Sequence, residues 1–155
     1  MNAISGIDGL DPTLKIIKFT KKIAIANKES IICGWNLINK ELKKNKTKFI
    51  PVDSEHFSIY ELIKYKNHNS IKKIILTASG GPFLNRSIKK NISVNEALNH
   101  PNWKMGKKIT IDSSTLMNKV FEVIEAKKIF NLKMKDIEIL INPNSYPRLS
   151  SGCND

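Results

Sequence analysis

Between Lys22 and His56 the chain reads KIAIANKESIICGWNLINKELKKNKTKFIPVDSEH. Two short runs rich in β-formers, Lys22–Ala26 and Lys48–Val52, bracket a segment from Ser30 to about Asn45. Within that segment Ile31, Trp35, Ile38 and Leu42 recur at spacings of four, three and four. Such spacing lines them along one face of a helix, so the stretch reads as strand, helix, strand. The first strand ends in Asn27-Lys28-Glu29 and the second in Asp53-Ser54-Glu55. The same grammar continues outward. A helix is expected over Phe57–Lys66, a third strand over Lys73–Thr77, and then the turn Ala78-Ser79-Gly80-Gly81-Pro82. Residues 83–108 read mainly as loop, with one short helix signalled by Ser93 and Glu96, a capping-box pair. A fourth strand is expected at Lys108–Ile111, running into Asp112-Ser113-Ser114 and a long amphipathic helix to about Phe130. A fifth is expected at Asp136–Ile141. Alternating strands and helices of this kind imply an α/β fold with a largely parallel sheet.

Composition narrows the function classes. At 155 residues and 41% hydrophobic content the chain has enough apolar material for a packed core. No apolar run nears the roughly 20 residues that cross a bilayer, and residues 1–12 lack a secretory signal pattern. Cys33 and Cys153 are too few for a disulfide framework, and reduced thiols in a cytoplasmic compartment are expected. The net charge of +12 raises a rival reading, a Lys-rich module for nucleic acid or anionic surfaces. Against it, the basic residues are 24 Lys and only two Arg, beside 24 Ile and 17 Asn, the mark of AT-rich coding. Arginine, which clamps phosphates and reads guanine with paired bonds, is nearly absent. Neither a nucleic-acid nor a membrane partner is expected.

Chemistry collects at the strand ends. Four strands in turn close on polar clusters, and ligands of open α/β sheets bind outside the carboxyl ends of the strands. Each cluster alone could be a helix cap. Four in succession offer more polar groups than caps require. Asp53, Glu55 and the later Glu122 supply three oxygen donors without a Cys or His cluster, a set suited to Mg²⁺ or Mn²⁺. Thr115, Asn118, Lys119 and Glu122 fall on one helical stripe, opposite an expected packing face of Leu116, Val120, Val123 and Ile124. The competing possibility is that Glu55 and Glu122 are solvated surface charges. Ser79-Gly80-Gly81 after a strand suits an anion held by backbone amides, and equally a plain turn. Trp103, in His100-Pro-Asn-Trp103, suits a lid over a ligand or a simple packing tether.

Five stretches together resemble the 1-deoxy-D-xylulose 5-phosphate reductoisomerase family: Ala26–Ser30, Pro51–His56, Ser79–Phe83, His100–Gly106, and Asp112–Lys119 with Glu122. They occur in the family's order and cover roughly residues 1–146. The resemblance implies a Rossmann-like NADPH domain, here its C-terminal part (residues 1–51), followed by an α/β catalytic domain with a mobile loop (residues 52–146). It implies a divalent cation (Mn, Mg or Co) on Asp53, Glu55 and Glu122. Lys28, Glu55 and His100 would be catalytic. Lys28, Ser54, Glu55, Ser79, His100, Ser113, Asn118, Lys119 and Glu122 would bind a phosphosugar, and Asn27, Glu29 and Gly106 would touch NADPH. Trp103 matches the lid. The expected reaction is rearrangement of 1-deoxy-D-xylulose 5-phosphate and its reduction to 2-C-methyl-D-erythritol 4-phosphate, in non-mevalonate isoprenoid synthesis, by a homodimer.

Three departures accompany the resemblance. The family's glycine-rich nucleotide loop is absent, so the chain is expected to begin inside that domain, to bind NADPH poorly and to turn over little by itself. Val120 stands where Gly is expected, which would set the helix slightly further from the metal. Residues 147–155 resemble nothing in the family and read as an unrelated tail.

Overall fold

The computed structural model describes residues 1–64, 73–84, 91–101 and 104–142. Lys22–Ile25 (β1) and Lys48–Pro51 (β2) pair in parallel, Lys22 opposite Lys48 and Ile25 opposite Pro51. Lys28–Asn45 (α2) joins them, and Leu10–Ile17 (α1), preceded by a 3-10 turn at Ile7–Gly9, packs beside it. Ile31, Trp35, Ile38 and Leu42 are all buried. They meet Ile17, Ile23 and Ile25 in one apolar cluster, and Trp35 stands edge-on to Phe49 at 5.1 Å. The helical spacing therefore marks the core face. α1 is absent from the expected elements, although Leu10, Leu14 and Ile17 recur at spacings of four and three and pack on this cluster.

A second core forms around Ile74–Ala78 (β3) and Ile137–Ile141 (β4), also parallel. Ser54–Lys64 (α3), Val94–Leu98 (α4), Lys107–Ser114 (α5) and Met117–Ile129 (α6) complete the order. Ile59, Ile74, Leu76, Val123, Ala126 and Phe130 fill this core, and Ile129 packs against both clusters. The α/β class holds. The described strands, however, form two separate pairs, β1-β2 and β3-β4. The Ser93 capping box is present with both reciprocal bonds.

Two expectations fail in the same place. Lys108–Ile111 is not a strand but the body of α5. Ile109 and Ile111 are each 40% exposed whereas Thr110 is 3% exposed, the reverse of a buried β pattern. Helix geometry wins because Thr110 bonds back to the Gly106 carbonyl with both its amide and its hydroxyl, each at 3.0 Å. Lys108 also pairs with Asp112 at 2.8 Å, one turn on. β-branching in a short run is a weak argument against such local bonding. The expected continuous helix from Ser114 is likewise broken, since Leu116 takes the left-handed conformation at φ 60° and caps α6. Thr115 drops out of the polar stripe, its hydroxyl bonding the Asp112 carbonyl.

Asn27 fixes the entrance to the first core. Its Oδ1 accepts from the Ser30 amide at 2.6 Å, capping α2. Its Nδ2 donates to the Gly6 carbonyl at 2.8 Å and to the Ile4 carbonyl. Replacing Asn27 with Ala removes a cap and two donors and should destabilise the chain by about 2 kcal/mol. Asn27→Asp keeps the cap but loses the donors and should recover only part of that loss. Denaturant titration of both variants checks this, and an unchanged midpoint for Asn27→Ala would refute it.

Candidate metal and anion site

The polar clusters that close β1, β2 and β3 converge. Asp53 ends the β2 turn and caps α3: its carbonyl accepts from the Phe57 amide, and its Oδ1 from the Glu55 amide at 3.1 Å. Capping and site geometry are served by one residue, because the cap fixes where Glu55 and His56 point. On the far side, α6 turns Lys119, Glu122 and Glu125 inward at 6%, 2% and 1% exposure. Of the expected packing face, Val123 is buried and packs with Ala126, whereas Val120 is 45% exposed. Val120 therefore does not hold α6 away from the site.

Oxygen atoms of Asp53, Glu55 and Glu122 lie within 4.8 Å of one another. Two ammonium groups interleave with them. Lys28 Nζ contacts Asp53 Oδ2 and stands 3.3 Å from Glu125 Oε2 and 4.0 Å from Glu122 Oε1. Lys119 Nζ contacts Glu122 Oε2 and lies 3.1 Å from Glu55. Asn118 donates to Glu122 Oε1 at 2.6 Å, and Ser54 to Glu55 at 2.6 Å. His56, fully buried, links α3 to α6: Nε2 lies 2.9 Å from the Glu122 carbonyl and Nδ1 3.0 Å from Asp53 Oδ1.

The electrostatics follow from this crowding. Burial, then the facing carboxylates of Glu55 and Asp53, push Glu122 up to about 7. Burial would raise Asp53 too, but His56 and Lys28 hold it well below the usual carboxylate range. Burial would lower Lys28, and Asp53 with Glu125 outweighs it and holds the ammonium charged. Lys119 is likewise held above its ordinary value against burial, by Glu122 and Glu55. A hard divalent cation fits this donor set. The mutual repulsion of three carboxylates whose oxygens lie within 4.8 Å of one another, which helps to raise Glu122, is what a cation among them would relieve.

Most of these groups line a cavity of about 500 Å³: Lys28, Asp53, Ser54, Glu55, Asn118, Lys119 and Glu122, together with Ser79, Gly80, Gly81, His100 and Ser113. Gly80 and Gly81 have φ of 92° and 67°. A Cβ on Gly81 would come within 2.7 Å of the Ser113 carbonyl, so the glycine turn presses directly on the end of α5. The fourth polar cluster thus reaches the site from a helix end, not a strand end. Ser79 Oγ is 3.2 Å from His100 Nε2, and burial holds His100 below its ordinary value. The three residues expected at a nucleotide are not among the cavity-lining set. Asn27 is committed to the contacts given above, Glu29 pairs with Lys108 at 3.0 Å, and Gly106 caps α5 on the surface. Trp103 lies outside the described residues.

Two participants escaped the sequence reading, His56 and Glu125. Glu125 lies three residues after Glu122 and six after Lys119, on the stripe already singled out. Extending that stripe by one turn was the available signal.

Family models now meet this geometry. The description 1-deoxy-D-xylulose 5-phosphate reductoisomerase C-terminal domain matches residues 49–130, and 1-deoxy-D-xylulose 5-phosphate reductoisomerase matches residues 1–34. The chain belongs to this family. A reductoisomerase of Pelagibacter ubique is 72% identical over 148 residues, covering 94% of this chain and 38% of the relative. One from Clostridium kluyveri is 51% identical, covering 100% of this chain and 41% of the relative. Among solved structures, a DOX-P reductoisomerase in complex with NADPH, fosmidomycin and magnesium superposes with a TM-score of 0.84 at 46% identity over 93% of this chain and 38% of its own. The Zymomonas mobilis enzyme in complex with NADPH gives 0.82 at 39% identity, over 94% and 37%. The chain therefore spans about two-fifths of the length of these relatives.

Because Glu122 must be ionised to serve a cation, protons compete with the metal. Affinity for Mn²⁺ should fall about tenfold per pH unit below pH 7 and level off above it. Calorimetry across pH 5.5 to about 8.5 measures this. A flat profile through pH 7 would contradict the assigned role of Glu122.

Proposed function

We propose that this chain carries the metal- and substrate-binding part of a 1-deoxy-D-xylulose 5-phosphate reductoisomerase. That enzyme would convert its ketose phosphate to 2-C-methyl-D-erythritol 4-phosphate with NADPH in isoprenoid synthesis. One observation carries the reading: three carboxylates lie within 4.8 Å of one another, on the wall of a cavity that also holds Ser79, Ser113, Asn118 and Lys119. The magnesium, NADPH and fosmidomycin of the related structures support the same assignment of ligands.

Asp53, Glu55 and Glu122 would hold Mg²⁺, Mn²⁺ or Co²⁺, which supplies Lewis-acid polarisation of the substrate's ketone and adjacent hydroxyl oxygens. NADPH supplies the hydride. The chain's own groups do the rest. Lys28, kept charged by Asp53 and Glu125, offers an ammonium to the substrate oxygens beside the carboxylates. Ser54 fixes one Glu55 oxygen and leaves the other facing Lys119. Hydroxyls of Ser79 and Ser113, the Asn118 amide and the Lys119 ammonium form the donor set for the phosphate. His100, which burial holds below its ordinary value, is able to exchange a proton or hydrogen bond with the substrate from the Ser79 side.

Asn27, Glu29 and Gly106 belong to the nucleotide side of this reading, outside the carboxylate cavity. The division near residue 51 places β1 and α2 with the cofactor part and α3 onward with the catalytic part. We assign the activity to a cytoplasmic homodimer at the length of the relatives. The 155 residues alone, about two-fifths of that length, should turn over little.

The assay is NADPH oxidation by the full-length protein with 1-deoxy-D-xylulose 5-phosphate. Glu122→Gln should lower kcat by about a hundredfold or more and abolish thermal stabilisation by Mn²⁺. Ser113→Ala should act mainly on KM, since a phosphate contact is made equally before and during reaction. Full turnover by Glu122→Gln, or no activity of the unaltered protein on this substrate, would overturn the proposal.

A further inference from the structure

Asp53 presents a difficulty as a cation ligand, because both of its oxygens are engaged. Oδ2 holds the Lys28 ammonium, and Oδ1 takes the Glu55 amide and faces His56 Nδ1. A cation can gain an Asp53 oxygen only if Lys28 has another anion to rest on. Two carboxylates compete for it. Glu122, at 4.0 Å, is itself one of the three donors and is engaged by Lys119 and Asn118. Glu125, at 3.3 Å, is 1% exposed and belongs to no donor set that a free cation could enter, for a reason visible in the geometry. Asp53, His56 and Glu125 also lie within 4.8 Å of one another, as three metal ligands might, yet the Lys28 ammonium touches two of them. That second group already contains its cation, covalently tethered to α2.

We infer that Glu125 is a positioning residue for the cation site: it holds the Lys28 ammonium and so leaves an Asp53 oxygen for a divalent cation. The inference rests on the metal reading of Asp53, Glu55 and Glu122. His56, 3.9 Å from Glu125 and pinned to the Glu122 carbonyl, closes the other side, so Lys28 has only these carboxylates within ion-pair reach among the described residues. Without Glu125 the ammonium moves fully onto Asp53 and Glu122 and competes with the metal for their oxygens. Outer partners of this kind set metal affinity by about 10- to 100-fold.

The test titrates the full-length protein with Mn²⁺ alone, following free Mn²⁺ by electron paramagnetic resonance. Glu125→Gln should weaken binding about tenfold or more, while Glu125→Asp, which keeps the charge, should stay within about threefold. The decisive comparison is in a Lys28→Met background. There the competing ammonium is gone, so adding Glu125→Gln should change affinity less than about threefold. A merely structural Glu125 would weaken binding equally in both backgrounds, and that result overturns the inference. If Glu125→Gln alone does not fold, Lys28→Met against the double variant decides: matched affinity supports the inference and a tenfold gap overturns it. Equal affinity of Glu125→Gln and the unaltered protein also overturns it, leaving the metal reading intact. Absence of Mn²⁺ binding by the unaltered protein overturns both.

Discussion

Four carboxylates, two ammonium groups and an imidazole crowd together where α2, α3 and α6 meet, all but the partly exposed Glu55 largely withdrawn from water. Buried charge is costly unless paired. Here four potential negative charges face two firm positive ones, and His56 leans toward a third under the pull of Asp53 and Glu125. The residual imbalance falls on Glu122, which responds by holding its proton until about neutrality. A site so arranged is poised for a divalent cation, and its neighbours are constrained to match. The α3 cap aims Asp53 and Glu55, α2 delivers Lys28 from its first turn, and α6 must bury a charged stripe where an ordinary helix would bury leucines.

That constraint explains why much of the site was legible and why some was not. Asn27-Lys28, Asp53-Ser54-Glu55 and Ser79-Gly80-Gly81 each follow a strand, and polar residues in excess of capping needs mark a ligand-facing edge. Strand ends are local features, so sequence shows them. Burial of Lys119, Glu122 and Glu125 is not local. A polar helical stripe looks the same whether it faces water or a cluster of opposite charges on other elements, and only the fold distinguishes them. For this reason Val123 on the expected apolar face of α6 is buried while Val120 is exposed, and the buried stripe extends beyond Glu122 to Glu125.

The misread strand at Lys108–Ile111 has a related cause. Its alternating Ile109 and Ile111 suggested β structure, yet Thr110, Ser113 and Ser114 carry the inward side of α5. The close contact between Gly81 and the Ser113 carbonyl then docks the end of that helix on the glycine turn. A helix ending in serines, held against a turn of positive φ, places Ser113 in the lining of the same cavity as Ser79 and Lys119. The polar character that obscured the helix in the sequence is what the cavity uses.

The central claim is that one cation is shared by Asp53, Glu55 and Glu122. The most direct measurement is anomalous diffraction from crystals of the full-length protein soaked in Mn²⁺. The account predicts a single strong peak among oxygens of those three side chains, with Lys28 still against Glu125. A peak instead between Asp53, His56 and Glu125, with Lys28 displaced, or no ordered Mn²⁺ in the cavity, would contradict it.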